Sequence, residues 1–166
     1  MSQGQVEIKE FGPCRIIGLS YTGKNENQEV ARLWEQQFMP RRHEIDMPER
    51  PAAFGICRCV PGARDGTFEY VAAVEAKPGA APPAGMVAVD IPRGDYVVIP
   101  VSGLGELGQA WGSAPETLSR LTEWEPYCGP AGCECATHPC FEYYTPEFDA
   151  GGPMFLYIPV KRKAVS

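Results

Sequence analysis

The sequence predicts an α+β domain of two pseudo-symmetric β-α-β-β halves, with paired antiparallel sheets and a ligand cleft between the halves. Three observations predict it. Extended and helical patterns run twice in the same order, a Pro/Gly/Ala stretch, "KPGAAPPAG", separates the two runs, and aromatic positions recur at one offset. Phe54, Phe68 and Tyr70 of the first run fall on Phe141, Phe155 and Tyr157 of the second. At 166 residues the whole chain reads as a single domain, with halves at about 5–78 and 86–163 and a linker over 78–85. Two halves related in this way leave a cleft between helices and sheet, the usual seat of a small ligand.

The elements follow in order. "VEIKEFGPCRIIGLSY" gives two extended segments broken at "FGP". Asn25–Met39 reads as a helix, because Val30, Leu33, Trp34 and Phe38 share one face of a 3.6-residue period and Pro40 follows. "AFGICRCV" and "TFEYVAAVEA" are strands joined by the turn-rich "PGARDG". After the linker, "GMVAVDIPRGDYVVIPVSG" repeats the opening strand–turn–strand. Leu104–Leu121 is a second helix interrupted by Gly and Pro, and "CFEYY" with "MFLYIPV" closes the chain as a second hairpin.

Charge excludes some functions. With 15 basic against 21 acidic residues the chain carries −6, and its basic clusters, "MPRRHE" and "KRK", are too short to neutralise a phosphate backbone, so no direct nucleic-acid partner is expected. A negative field favours cationic small molecules. The opening "MSQGQVEIKEF" has no apolar core and no run reaches membrane-spanning length, so the expected compartment is the cytoplasm, with no membrane partner.

The segments "LWEQQFMPR", "FEYVAAVEA", "GMVAVDIPRGDYVVIPVSG" and above all "FEYYTPEFDAGGPMFLYIPVK" resemble the GyrI-like small-molecule-binding domain family, also found as the effector-binding half of multidrug-responsive transcription regulators. The resemblance runs from Val6 to Lys161. It implies the same duplicated β-α-β-β fold and a pocket between the halves for flat, often cationic, aromatic compounds. It also implies that Glu142 supplies the buried negative charge. Some stand-alone family members hydrolyse strained electrophilic natural products with a glutamate and aromatic residues of this pocket. The family's name also points to an inhibitor of a protein target such as a topoisomerase. The Cys-rich loop departs from the family pattern.

Physical chemistry bears on each candidate. On a strand, Glu142 and Tyr144 point one way and Phe141 and Tyr143 the other. A carboxylate among aromatic rings is costly unless paired, so it raises its pKa or takes up a cation stacked on those rings. Trp34 and Trp111, one per helix, are placed to face the cleft, and Tyr70 and Tyr157 to line it from both sides; Tyr96 and Trp124 are further candidates for it. Every one of these aromatic residues fits an ordinary core equally well. In an enzyme, Glu142 would act as general base on a water and a tyrosine hydroxyl would donate to the leaving or carbonyl oxygen. The sequence leaves binding and hydrolysis both open.

No cofactor is required, but "CGPAGCECATHPC" raises the question of a structural zinc. Cys128, Cys133, Cys135, His138 and Cys140 hold enough ligands for a tetrahedral set, although their spacing is not that of a zinc knuckle. Cys14, Cys57 and Cys59 read as small core residues. "GLGELG" lacks the Lys-Ser/Thr pair of a phosphate loop and reads as a helix start. Neither His43 nor His138 sits in a nucleophile setting that would make a triad. The expected partner is therefore a small molecule, with a protein partner as the other reading.

Overall fold

Period-two alternation sets the strands, and the register between them decides which side chains meet. The computed structural model describes residues 7–60, 62–63, 65–129, 132–133 and 137–164, with backbone alone at 128, 129, 132 and 133. Its strands are β1 (Glu7–Phe11), β2 (Cys14–Gly23), β3 (Ala53–Cys59), β4 (Phe68–Glu75), β5 (Val87–Ile91), β6 (Gly94–Val101) and β7 (Trp124–Pro126). The short pair β8 (Cys128–Gly129) and β9 (Gly132–Cys133) follows, then β10 (Cys140–Tyr144) and β11 (Met154–Arg162). All but β8 and β9 join one nine-stranded antiparallel sheet in the order β1-β6-β11-β10-β3-β4-β2-β5, with β7 extending it along β11.

That order is a palindrome of the two halves. The hairpins β3–β4 and β10–β11 meet at a central β10–β3 seam, β2 and β6 flank them, and the outermost strands are exchanged: β1 pairs with β6 of the second half, and β5 with β2 of the first. The expected β-α-β-β duplication is therefore present, with the opening strand of each half crossing to the other.

The first helical run starts later than the sequence pattern indicates. Asn25 and Gln28 have left-handed backbones, and the Val30 N–H donates to Asn25 Oδ1 at 2.9 Å, so helical structure begins with α1 (Glu29–Arg32). It continues as a wider π-type turn at Leu33–Phe38 and a 3-10 turn at Met39–Glu44. Pro40 does not end the run, because it sits in the first turn of that last segment, where its missing N–H costs nothing. The second run is a 3-10 turn at Leu104–Glu106 leading into α2 (Leu107–Ser119), which carries Pro115 inside it.

Both runs cover the same face of the sheet. Leu33 and Phe38 pack on Ile17, Tyr70 and Val74, while Ala114 packs on Val97, Ile158 and Val160. The opposite face carries its own aromatic core of Phe54, Tyr96, Phe141 and Tyr157, with Phe11 packed against it. Phe11 on β1 lies 6.3 Å from Phe54 on β3, ring centre to ring centre. Those strands are four places apart, about 19 Å in a flat sheet, so the sheet curls until rings from β1 and β3 meet. No helix among the described residues is long and apolar enough to cross a membrane.

Candidate functional site

A cleft of about 750 Å³ opens on the helical face between the two helical runs. Its floor is the central seam. In the β10–β3 register Glu142 lies opposite Gly55 and Tyr144 opposite Ala53; across β3–β4, Tyr70 lies opposite Cys57. Alternation then brings Glu142, Tyr144, Ala53, Gly55, Cys57 and Tyr70 to one face.

Glu142 is 5% exposed, and it is the buried charged residue among those described. Three donors converge on it: Tyr70 and Tyr144 each donate a hydroxyl to Oε1 at 2.7 Å, and the Trp111 indole N–H donates to Oε2 at 3.2 Å. The Trp34 indole N–H donates to the Tyr70 hydroxyl oxygen at 2.9 Å, which turns the phenol proton toward Glu142. Indole nitrogen can only donate, so the two tryptophans fix the direction of the network. Its end point is an acceptor, the carboxylate.

Burial pushes the Glu142 carboxyl above its ordinary value, and the bonds from Tyr70, Tyr144 and Trp111 oppose that rise. Burial, reinforced by the Glu142 charge, holds the phenols of Tyr70 and Tyr144 well above the usual tyrosine range. Both keep their protons and act as hydrogen-bond donors.

Gly55 makes the arrangement possible. A Cβ there would overlap both Glu142 Oε1 and the Tyr70 hydroxyl. The offset that matches Phe54 with Phe141 also matches Gly55 with Glu142, a signal in the sequence that could have singled this glycine out. Each helical run brings one tryptophan, and Met39 and Leu104, 46% and 60% exposed, form apolar lips on either side of the cleft. Arg42, Glu35 and Asp149 also line it.

The structure thus gathers Glu142, Trp111, Tyr70 and Tyr144 in one place. It separates Tyr157 and Tyr96 from them, which corrects the expectation that these two line the cleft. Tyr157 pairs with Phe141, not Glu142, and its ring stacks on Phe141 at 5.0 Å on the opposite face. The cause is a register slip: Phe54 pairs with Ala73 as Phe141 pairs with Tyr157, so the counterpart of Tyr157 is Ala73, not Tyr70. Tyr96 is in the same aromatic core, its hydroxyl donating to the Pro92 carbonyl at 3.1 Å. Trp124 also lies away from the cleft, with the Arg162 guanidinium 4.6 Å from its ring centre.

The zinc expectation is overturned as well. Among the described residues no group of three or more His, Cys, Asp or Glu side chains could hold a metal ion. The ring of His138 stacks on Tyr127 at 3.9 Å with its Nδ1 3.0 Å from the Thr137 hydroxyl, and Cys140 belongs to the main sheet opposite Cys57. Cys135 lies outside the described residues, as do the side chains of Cys128 and Cys133. Of the three cysteines expected in the core, Cys14 packs at its edge, Cys57 lines the cleft and Cys59 is exposed.

Comparison with known proteins fits this geometry. Residues 4–161 match the model of the GyrI-like small molecule binding domain. The chain belongs to that family. The transcriptional regulator BrlR of Pseudomonas aeruginosa is 30% identical over 159 residues, covering 92% of this chain and 54% of BrlR, so this GyrI-like chain spans about half the length of that curated relative. Two solved structures share the fold at low identity. SAV2435 bound to tetraphenylphosphonium superposes with a TM-score of 0.65 at 14% identity, over 95% of this chain and 94% of that one. EcmrR in a DNA complex superposes with a TM-score of 0.64 at 12% identity, over 96% of this chain and 58% of that one.

Proposed function

We propose that this GyrI-like domain binds small planar aromatic cations in the cleft, with the Glu142 carboxylate as their counter-charge, and serves in sensing or sequestering such compounds. The observation that carries the reading is Glu142 itself, buried on the floor of a 750 Å³ cleft and met by donors on aromatic side chains only. Those donors offset part of the cost of burying the charge without supplying an opposite one. A cation stacked between Trp34 and Trp111 would supply it and cover the ring faces in the same step.

Size agrees, since 750 Å³ lies within the range of drug-sized pockets. The apolar lips at Met39 and Leu104 suit a ligand whose charge is spread over a hydrophobic frame. The capture of tetraphenylphosphonium by SAV2435 and the regulatory role of BrlR support a sensing or sequestering use of the same fold.

The carboxylate could instead serve as a base toward water, and the same cleft would then be hydrolytic. Proton delivery argues against it: phenols held well above their usual range are poor acids, so Tyr70 and Tyr144 stabilise charge better than they move protons.

The deciding test is a fluorescence titration of a planar cationic dye into the wild type and Glu142→Gln at moderate salt. Wild type should bind in the micromolar range, and the amide should weaken binding by about 10- to 100-fold, as expected for loss of a charged partner. Equal affinity in both proteins would sink the reading. Turnover of a strained-ring electrophile, lost in Glu142→Gln while binding survives, would move the assignment to a hydrolase.

A further inference from the structure

Beyond its counter-charge for a cation, the cleft carries a basic side chain with no assignment. Arg42 lines it from the 3-10 turn of the first helical run. Among the described residues every other arginine has a carboxylate within ion-pair distance: Arg15, Arg32, Arg41, Arg50, Arg58, Arg93, Arg120 and Arg162. Arg42 has none. The carboxylate nearest in sequence, Glu44, is taken by Arg41, whose Nε and one terminal nitrogen each reach one of its oxygens at 2.9 Å. Glu35 and Asp149 share the cleft but lie exposed, outside ion-pair distance of Arg42, whereas Arg42 is half-buried. A half-buried arginine that lines an open cleft offers a fork for an oxyanion.

We infer that the ligand is amphoteric: an aromatic cation that also bears an acidic group, a carboxylate or its like, with the cationic frame over Glu142 and the acid on Arg42. The inference rests on the proposed cation site and deepens it. A ligand of this kind meets opposite charges at two points of one cleft. A simple cation meets attraction at Glu142 and repulsion at Arg42. Arg42 would therefore set specificity between zwitterions and plain cations and would orient the aromatic frame.

Rhodamine B and its ethyl ester make the test. At neutral pH the first is a zwitterion and the second a cation, and they differ only in the free carboxylate. Both would be titrated into the wild type, Arg42→Gln, Arg42→Lys, the neighbouring Arg41→Gln and Glu142→Gln. Expected are a preference of wild type for the acid of about 5- to 10-fold, shrinking with added salt, and loss of that preference in Arg42→Gln. In that variant the ester should bind slightly more tightly, because a like charge has gone. Arg42→Lys should keep part of the preference and Arg41→Gln all of it.

If the ester binds and depends on Glu142, but wild type shows no preference for the acid, or Arg42→Gln keeps one, the amphoteric inference is overturned and the cation site stands. If neither dye binds, or ester affinity ignores Glu142→Gln, the cation site fails and the inference fails with it.

Discussion

The two faces of the sheet are both rich in aromatic residues and use them in opposite ways. On the face away from the helices, Phe11, Phe54, Tyr96, Phe141 and Tyr157 pack ring against ring with centroids 5.0–6.3 Å apart, and the Tyr96 hydroxyl ends on a local carbonyl. On the helical face Tyr70, Trp111 and Tyr144 turn their polar atoms toward one carboxylate, Trp34 donates to the Tyr70 hydroxyl behind it, and space is left beside them. The first arrangement is a core that the curled sheet fills by itself. The second gives up some packing to hold a charge. Aromatic content alone does not mark a site here; convergence of aromatic N–H and O–H groups does.

Truncation on the closed face should have the largest effect. Phe141→Ala removes a fully buried ring in contact with Phe11, Phe54, Tyr96 and Tyr157, and urea denaturation should show a loss of about 3–5 kcal/mol. Dye affinity of the folded fraction should change little, and a large change would mean that the two faces are coupled. Next come matched hydroxyl deletions. Tyr144→Phe strips a donor from a buried carboxylate and should cost about 1.5–3 kcal/mol in stability above the Glu142 titration, whereas Tyr157→Phe should stay within about 0.5 kcal/mol. Equal losses would erase the contrast between the faces.

Gly55→Ala sharpens the comparison from the backbone side. Its methyl group must displace both the Tyr70 hydroxyl and Glu142 Oε1. The expected result is about 1–3 kcal/mol of destabilisation, read by thermal melting, together with weaker cation binding.

The most gradual effect is that of pH. Because burial holds the Glu142 pKa above its ordinary value of 4.5 in the folded protein, the folded state retains a proton that the unfolded chain releases first. The Glu142 contribution to stability is therefore greatest below that ordinary value and declines as pH rises toward the folded-state pKa. Cation affinity should rise over the same window, since only the ionised carboxylate attracts the ligand. Glu142→Gln should flatten both curves, and a wild-type binding curve independent of pH across that window would contradict the assignment.

Much of this was legible in the sequence, for definite reasons. Duplication showed in the repeated order of elements, and alternation within "CFEYY" placed Glu142 and Tyr144 together and Phe141 apart from them, as the register confirms. Tyr157 was misplaced because an offset that holds for β10 against β3 does not carry through the turn into β11, and a shift by an odd number of residues reverses a strand's facing. The strand exchange of β1 and β5 was hidden because pairing partners leave no local trace. Arg42 could not be singled out from composition, since its distinction is the partner it lacks among the described residues.

The central seam has a consequence for how such a site can arise. Gly55 and Glu142 are counterparts in the two halves and also lie directly opposite each other, so the pseudo-twofold axis passes between them. Two identical half-chains assembled about that axis would have to place the same residue on both sides. Two glutamates would bring carboxylates together that resist joint ionisation, and two glycines would leave no charge at all. Joining the halves in one polypeptide frees the two positions to differ, so that one supplies the carboxylate and the other the room for it. The buried charge of Glu142 opposite Gly55 thus depends on the two halves differing in sequence, which a symmetric dimer of either half does not allow.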